Sequence, residues 1–209
     1  MAKNFEDGVE DVQQALNAGR EVRGHGPYGM LIGDERLEFR PVVIADPVPT
    51  RRQILEAADV RDTVEHLLFL VSHNGLLLEL GDGQTVDLRS AGVERLLVFR
   101  NDRSFRLELD DRVIEWGATR ISGLTLKKLA GVDLLTFAVW LDARGGKDRL
   151  IGDAELFDLS APGVERFYTA LRTITVKVNT RPHQVHTETL TFDQVVKMAF
   201  ADAATTDSR

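Results

Sequence analysis

The chain of 209 residues contains no cysteine. It can therefore form no disulfide, build no thiolate zinc site and use no cysteine nucleophile, and it cannot carry an acyl group as its own thioester. A thiol-free chain suits a reducing cytoplasm, the expected location. No apolar run approaches the roughly 18 residues that a membrane span requires. The opening residues, Met1 to Asp7, lack the apolar stretch of a signal peptide. Positive charge is in deficit, 26 Lys and Arg against 33 Asp and Glu, a formal net charge of -7. The basic footprint of a nucleic-acid or anionic-membrane binder is thus missing. Among the basic residues lysine is scarce, with only Lys3, Lys127, Lys128, Lys147, Lys177 and Lys197. GC-rich codon usage accounts for that bias, which also limits where a chain could be modified on itself. What remains is globular: 43% hydrophobic and 28% charged residues exclude global disorder, and the length suits one large domain or two to three small ones.

An internal repeat organises the chain. Asp87-Leu88-Arg89-Ser90-Ala91-Gly92-Val93-Glu94-Arg95 recurs, 71 residues on, as Asp158-Leu159-Ser160-Ala161-Pro162-Gly163-Val164-Glu165-Arg166. That period is one small domain, longer than a solenoid repeat. Each unit opens on two alternating apolar runs joined by turn residues: Asp34-Glu35-Arg36, Asp110-Asp111-Arg112 and Asn179-Thr180-Arg181. Asp and Asn tolerate left-handed backbone and bond locally, so these predict hairpins. Phe105, Leu107 and Leu109 alternate with polar residues, as do Ile174, Val176 and Val178. A helix start follows each hairpin: Thr50 before Ile54, Leu55, Ala57 and Ala58; Ser122 before Leu124, Leu126, Leu129 and Ala130; Thr191 before Val195, Val196 and Met198, with Gln194 completing a capping box.

Two units then continue with further strands. The first has His66–Val71, Leu76–Leu80 and Arg95–Phe99; the second has Thr136–Leu141, Arg149–Ile151 and Glu165–Tyr168. Turns are expected at Asn74-Gly75 and Gly145-Gly146. Hairpin, helix, then two or three strands is the β-grasp order, one helix laid across a small mixed sheet. The third copy has its hairpin and helix, and then only Ala201 to Arg209, small and polar residues that cannot supply closing strands. Ahead of the repeats, Phe5, Val9, Val12 and Leu16 fall at helical spacing and Gly19 follows, predicting an amphipathic helix over residues 5–18. Arg20 to Gly29 read as a linker. The expected fold is α+β: an N-terminal helix and linker over 1–25, β-grasp units over 26–101 and 102–171, and a partial third unit with tail over 172–209.

On Tyr28 to Glu35, on Ile121-Ser122-Gly123 before the helix and on Asp158 to Ala170, the chain resembles a bacterial multiubiquitin-domain protein. The resemblance covers about residues 26–200. It implies a modifier or scaffold in a bacterial ubiquitin-like pathway, with an activating enzyme, a conjugating enzyme and a JAB-type metallopeptidase as partners. It also implies a link to defence against phage, because several such pathways carry one. Conjugation would require a free carboxylate on a tail that threads the activating enzyme, usually after glycines. This chain ends Ala203-Ala204-Thr205-Thr206-Asp207-Ser208-Arg209, without a terminal Gly-Gly. If it is conjugated, the carboxylate of Arg209, or of an upstream residue after processing, is the reacting group.

No constellation of catalytic residues stands out. His183 and His186 sit three apart, on opposite faces of a strand, and cannot share a metal. Asp82-Gly83 and Asp110-Asp111 read as turns, and Gly145-Gly146-Lys147 lacks the spacing of a phosphate loop. The expectation is a non-enzymatic chain with no cofactor and no metal. Trp116, Trp140, Phe137 and Tyr168 are core residues or, on an uncovered sheet face, docking residues. The truncated third unit is the main candidate for self-association, through Val195, Val196, Met198 and Phe200 on its helix and Ile174, Val176 and Val178 on its hairpin. A hairpin and one helix are too small to be stable alone; their open edge invites another strand, either head to tail from a copy or from a partner, or else residues 171–209 fold back on the second unit or stay disordered in isolation. The helix residues Phe5, Val9, Val12 and Leu16 are a second candidate contact, on a unit's open sheet or on a neighbour.

Overall fold

A computed structural model describes residues 5–72, 75–90, 95–143, 145–186 and 189–200. The chain begins with a two-residue strand β1 (Glu10–Asp11) and a short helix α1 (Val12–Asn17). Asp11 caps α1 by accepting from the Gln14 N–H, and Gly19, at φ 65°, ends the turn beyond it. The amphipathic pattern over 5–18 thus becomes a helix over its second half only. Pairing with Tyr28 and Gly29 makes Glu10 and Asp11 extended, and the chain before them turns at Gly8, φ 97°.

The first unit comprises β2 (Tyr28–Gly33), β3 (Phe39–Ile44), α2 (Arg51–Ala57), β4 (His66–Val71), β5 (Leu77–Glu79) and β6 (Arg95–Arg100). The order across its sheet is β3-β2-β6-β4-β5, with β6 parallel to β2 in the centre. The expected linker over Arg20–Gly29 therefore ends at Pro27, since Tyr28 and Gly29 open β2. Thr50 and Gln53 form a capping box at α2. Tyr28, Met30 and Ile32 of β2 face α2 and pack with Ile54, Leu55, Leu68 and Leu96. Val12 and Ala15 of α1 are fully buried in this same core, plugging it beside β2.

The second unit repeats the plan with β7 (Phe105–Leu109), β8 (Arg112–Trp116), β9 (Arg120–Ser122), α3 (Gly123–Ala130), β10 (Phe137–Leu141), β11 (Arg149–Ile151), β12 (Leu156–Asp158) and β13 (Glu165–Leu171). Its order, β8-β7-β13-β10-β11, matches the first, again with the last strand parallel to the first. The pair β9–β12 corresponds to the single Thr50–Thr85 bridge of unit one.

The third unit has β14 (Ile174–Val178), β15 (Arg181–Val185) and α4 (Phe192–Phe200). Among the described residues β14 and β15 form a two-stranded sheet and no other strand joins them. The tandem β-grasp architecture is thus two closed sheets and one open hairpin.

Strand alternation gives unit one a second apolar face, away from α2, made by Leu67, Phe69, Val71, Leu97 and Phe99. All five are buried. Unit two covers them: the Phe99 ring, edge to face with Phe69 of its own sheet at 5.5 Å, meets the Trp116 indole of unit two at 4.8 Å, again edge to face. Thr125 donates to the Glu35 carbonyl and Lys128 to the Arg36 carbonyl, tying α3 to the first hairpin turn. The helix-free sheet face of unit one is therefore the seat for unit two.

Candidate interaction surface

The third unit is a faithful start of the repeat. Asn179 and Thr180, at φ 51° and 68°, form the same left-handed two-residue turn as Asp110 and Asp111, at 49° and 62°. Position for position, His183 stands where Ile114 does, Val185 where Trp116 does, and Thr191 where the cap residue Ser122 does. The expected capping box is present: Thr191 N–H donates to Gln194 Oε1 at 2.8 Å, and Gln194 N–H to Thr191 Oγ1 at 3.3 Å. The joint repeats as well. In unit two Asn101 donates to the Gly117 carbonyl at 3.2 Å; in unit three the His186 ring bonds the Arg172 carbonyl at 2.8 Å. Val185 is buried there, in the place of Trp116.

What fails to repeat is the closure. In unit two β13 lies along β7, and Asp110 staples it, accepting from the Thr169 N–H at 2.7 Å and the Thr169 hydroxyl at 2.9 Å. Leu126 is fully buried and Lys127 is almost so, its ammonium held by Asp153 at 2.8 Å and the Leu134 carbonyl at 2.6 Å. The corresponding residues of α4, Val195 and Val196, are only half-buried, as is Met198. Phe200, a self-association candidate, is 65% exposed, and Phe192 is 81% exposed. No residue of α4 is buried, because among the described residues no closing strand covers it. Ile174, Val176 and Val178 are likewise half-buried. In place of the Asp110 staple, the Asn179 amide reaches back to the Ala199 carbonyl at 3.5 Å.

The N-terminal residues take different positions. Phe5 lies against Gly29, so close that any Cβ at 29 would overlap its ring. Val12 is buried and Leu16 packs on the core, whereas Val9 is half-buried and outside the helix. Sequence spacing missed the polar anchor here. Glu10 is 1% exposed and binds Arg20 and Arg23, each at 2.5 Å. Burial pushes its carboxyl up, but the two guanidinium hydrogen bonds outweigh this and hold it below the usual carboxylate range.

The remaining candidates separate cleanly. Trp116 is fully buried, and Phe137 lies on the core side with Val139. Trp140 pairs with Tyr168 across β10 and β13 on the opposite, helix-free face, where both are half-buried. The Tyr168 hydroxyl donates to Asp148 at 2.8 Å. The imidazole of His183 keeps Nε2 buried without a partner, apart from the outward His186. Among the described residues no group of three or more His, Asp or Glu could hold a metal. A cleft of ≈790 Å³ between units one and two mixes Glu35, Glu38 and Asp153 with Arg36, Arg120 and Lys128. Among the described residues no helix is long and apolar enough to cross a membrane. Arg209 and Ala201 to Ser208 lie outside the described residues, as do Lys3, Asn74 and the Ala91 to Glu94 part of the repeat.

A family model described as multiubiquitin matches three tandem segments, residues 34–101, 105–171 and 174–208. The third match spans about half the length of each of the others. No curated protein matches the chain.

Proposed function

The chain belongs to the multiubiquitin family, and from that membership we propose that it is a ubiquitin-like modifier of a bacterial protein-modification pathway, active in the cytoplasm and serving defence against phage. An activating enzyme, a conjugating enzyme and a JAB-type peptidase are its partners. It acts by being attached and recognised, and it catalyses nothing itself. The observation that carries this reading is the match of three tandem multiubiquitin segments over nearly the whole chain. The reacting group is a C-terminal carboxylate, that of Arg209 or of an upstream residue exposed by processing. Incubation with the activating enzyme and ATP tests it: a covalent adduct through the tail is expected, and its absence after both intact and trimmed chains are tried overturns the modifier reading.

A second reading rests on a different observation, the unburied α4 with Phe192 and Phe200 in solvent. Here the ubiquitin-like units are building blocks, and the incomplete third unit joins one chain to another. Assembly without any adduct favours it over the first.

A further inference from the structure

The two hairpin edges of the third unit are built differently. The type I′ turn makes Val178 and Arg181 a hydrogen-bonded pair, so alternate pairs up the ladder, Val176 with His183 and Ile174 with Val185, are hydrogen-bonded too. Lys177 and Pro182 are then a non-bonded pair, which suits a proline with no N–H to give. Pro182 thus leaves a gap in the outer edge of β15, a standard guard against strand addition. Pro41 sits in the matching strand of unit one, opposite Leu31. The other edge, that of β14, carries no proline and no bulge. It presents the N–H and C=O groups of Thr175 and Lys177. In both complete units this is the edge that the closing strand occupies.

Among the described residues no strand is free to cover this edge, since every other one already pairs within its own unit. The β14 strand itself is self-complementary. Laid antiparallel on a second copy with Val176 at the two-fold axis, Ile174 meets Val178, Thr175 meets Lys177, and no like charges face each other. Thr175 and Lys177 then exchange four backbone hydrogen bonds with the copy. Ile174, Val176 and Val178 of both chains line one apolar strip under two α4 helices, covering the half-buried Val195, Val196 and Met198.

We propose that the third unit is a dimerisation module: two copies of the chain pair β14 to β14 antiparallel, about a two-fold axis through Val176, in a four-stranded sheet roofed by both α4 helices. This contact closes on itself, unlike a head-to-tail one. It rests on the third unit being an association surface, and not on conjugation.

The absence of cysteine makes the test direct, on the full chain. Val176→Cys is expected to give a disulfide-linked dimer under mild oxidation, because the two positions meet at a close non-hydrogen-bonded pair. Lys177→Cys, which faces Thr175 of the copy, is expected to stay uncrosslinked. Lys177→Pro removes a donor from the free edge and none from the hairpin, and should raise the dimer dissociation constant at least about tenfold in sedimentation. A wild-type chain that sediments as a monomer at high concentration, with no crosslink in Val176→Cys, overturns the proposal. So does crosslinking of Lys177→Cys in place of Val176→Cys. Neither result touches the adduct assay, so loss of the dimer and loss of the modifier are separate failures.

Discussion

Phe99 and Trp116 meet edge to face, their ring centroids 4.8 Å apart, across the joint between the first two units. Phe99 belongs to the closing strand of one sheet and Trp116 to the hairpin of the next. Gly117 follows, and a side chain there would overlap the Phe99 ring. Two small domains thereby share one buried layer, and their stabilities are coupled.

Truncating Trp116 to Ala should cost about 3–5 kcal/mol, as for other large-to-small core changes. Gly117→Ala should cost about 1–3 kcal/mol through overpacking. Both should split a single urea transition into two, since the joint is lost while each core of helix on sheet survives. Fluorescence and far-ultraviolet circular dichroism over one titration check this, and coincident single transitions in both variants would refute the coupling.

The Lys127–Asp153 pair is lopsided: the lysine side chain is 1% exposed and the aspartate 46%. Removing the aspartate leaves a buried ammonium with the Leu134 carbonyl as its remaining partner, whereas removing the lysine leaves a carboxylate that water can reach. Asp153→Ala should therefore destabilise more than Lys127→Met, the first by about 3 kcal/mol and the second by less than about 1.5 kcal/mol. Chemical denaturation of the two variants orders them, and the reverse order would refute the argument.

Glu10 makes the N-terminal plug acid-sensitive. Its carboxyl is held low in the folded chain, so its contribution is fully present above the ordinary carboxylate range, near pH 4.5. It is lost as pH falls through the lowered folded value. Glu10→Gln should cost about 1–3 kcal/mol at pH 7. It should also flatten that part of the stability curve below about pH 4. Thermal melts of both proteins from pH 7 to pH 3 read this directly, and parallel curves would exclude the role.

Pro182 guards the outer edge of β15, so Pro182→Val should open a second pairing edge. The expected result is a scattering mass that grows with concentration beyond that of the unmodified chain. A mass unchanged from the parent would show that something other than the proline protects this edge.

Turn chemistry and alternation made much of the architecture legible. Asp110-Asp111 and Asn179-Thr180 announced their hairpins because few L-residues accept left-handed backbone, and Ser122, Thr50 and Thr191 marked the helix starts because orphan amides need a cap. The reach of the N-terminal helix was not legible. Phe5 and Val9 keep helical spacing with Val12, yet a parallel bridge to Tyr28 and Gly29 overrides it, and that bridge is a long-range contact. The buried Glu10 was hidden for the same reason, since its partners Arg20 and Arg23 approach only once the loop closes.

By itself the sequence determined the repeat and its order of elements, since these follow from local backbone preference. Only the tertiary structure decided which aromatics lie between units, Trp116 inside and Trp140 on the helix-free face, and that the bare sheet of unit one is the seat of unit two. A strand's alternation marks two faces but carries no label for what will cover each, and burial is settled by the partner that folding brings.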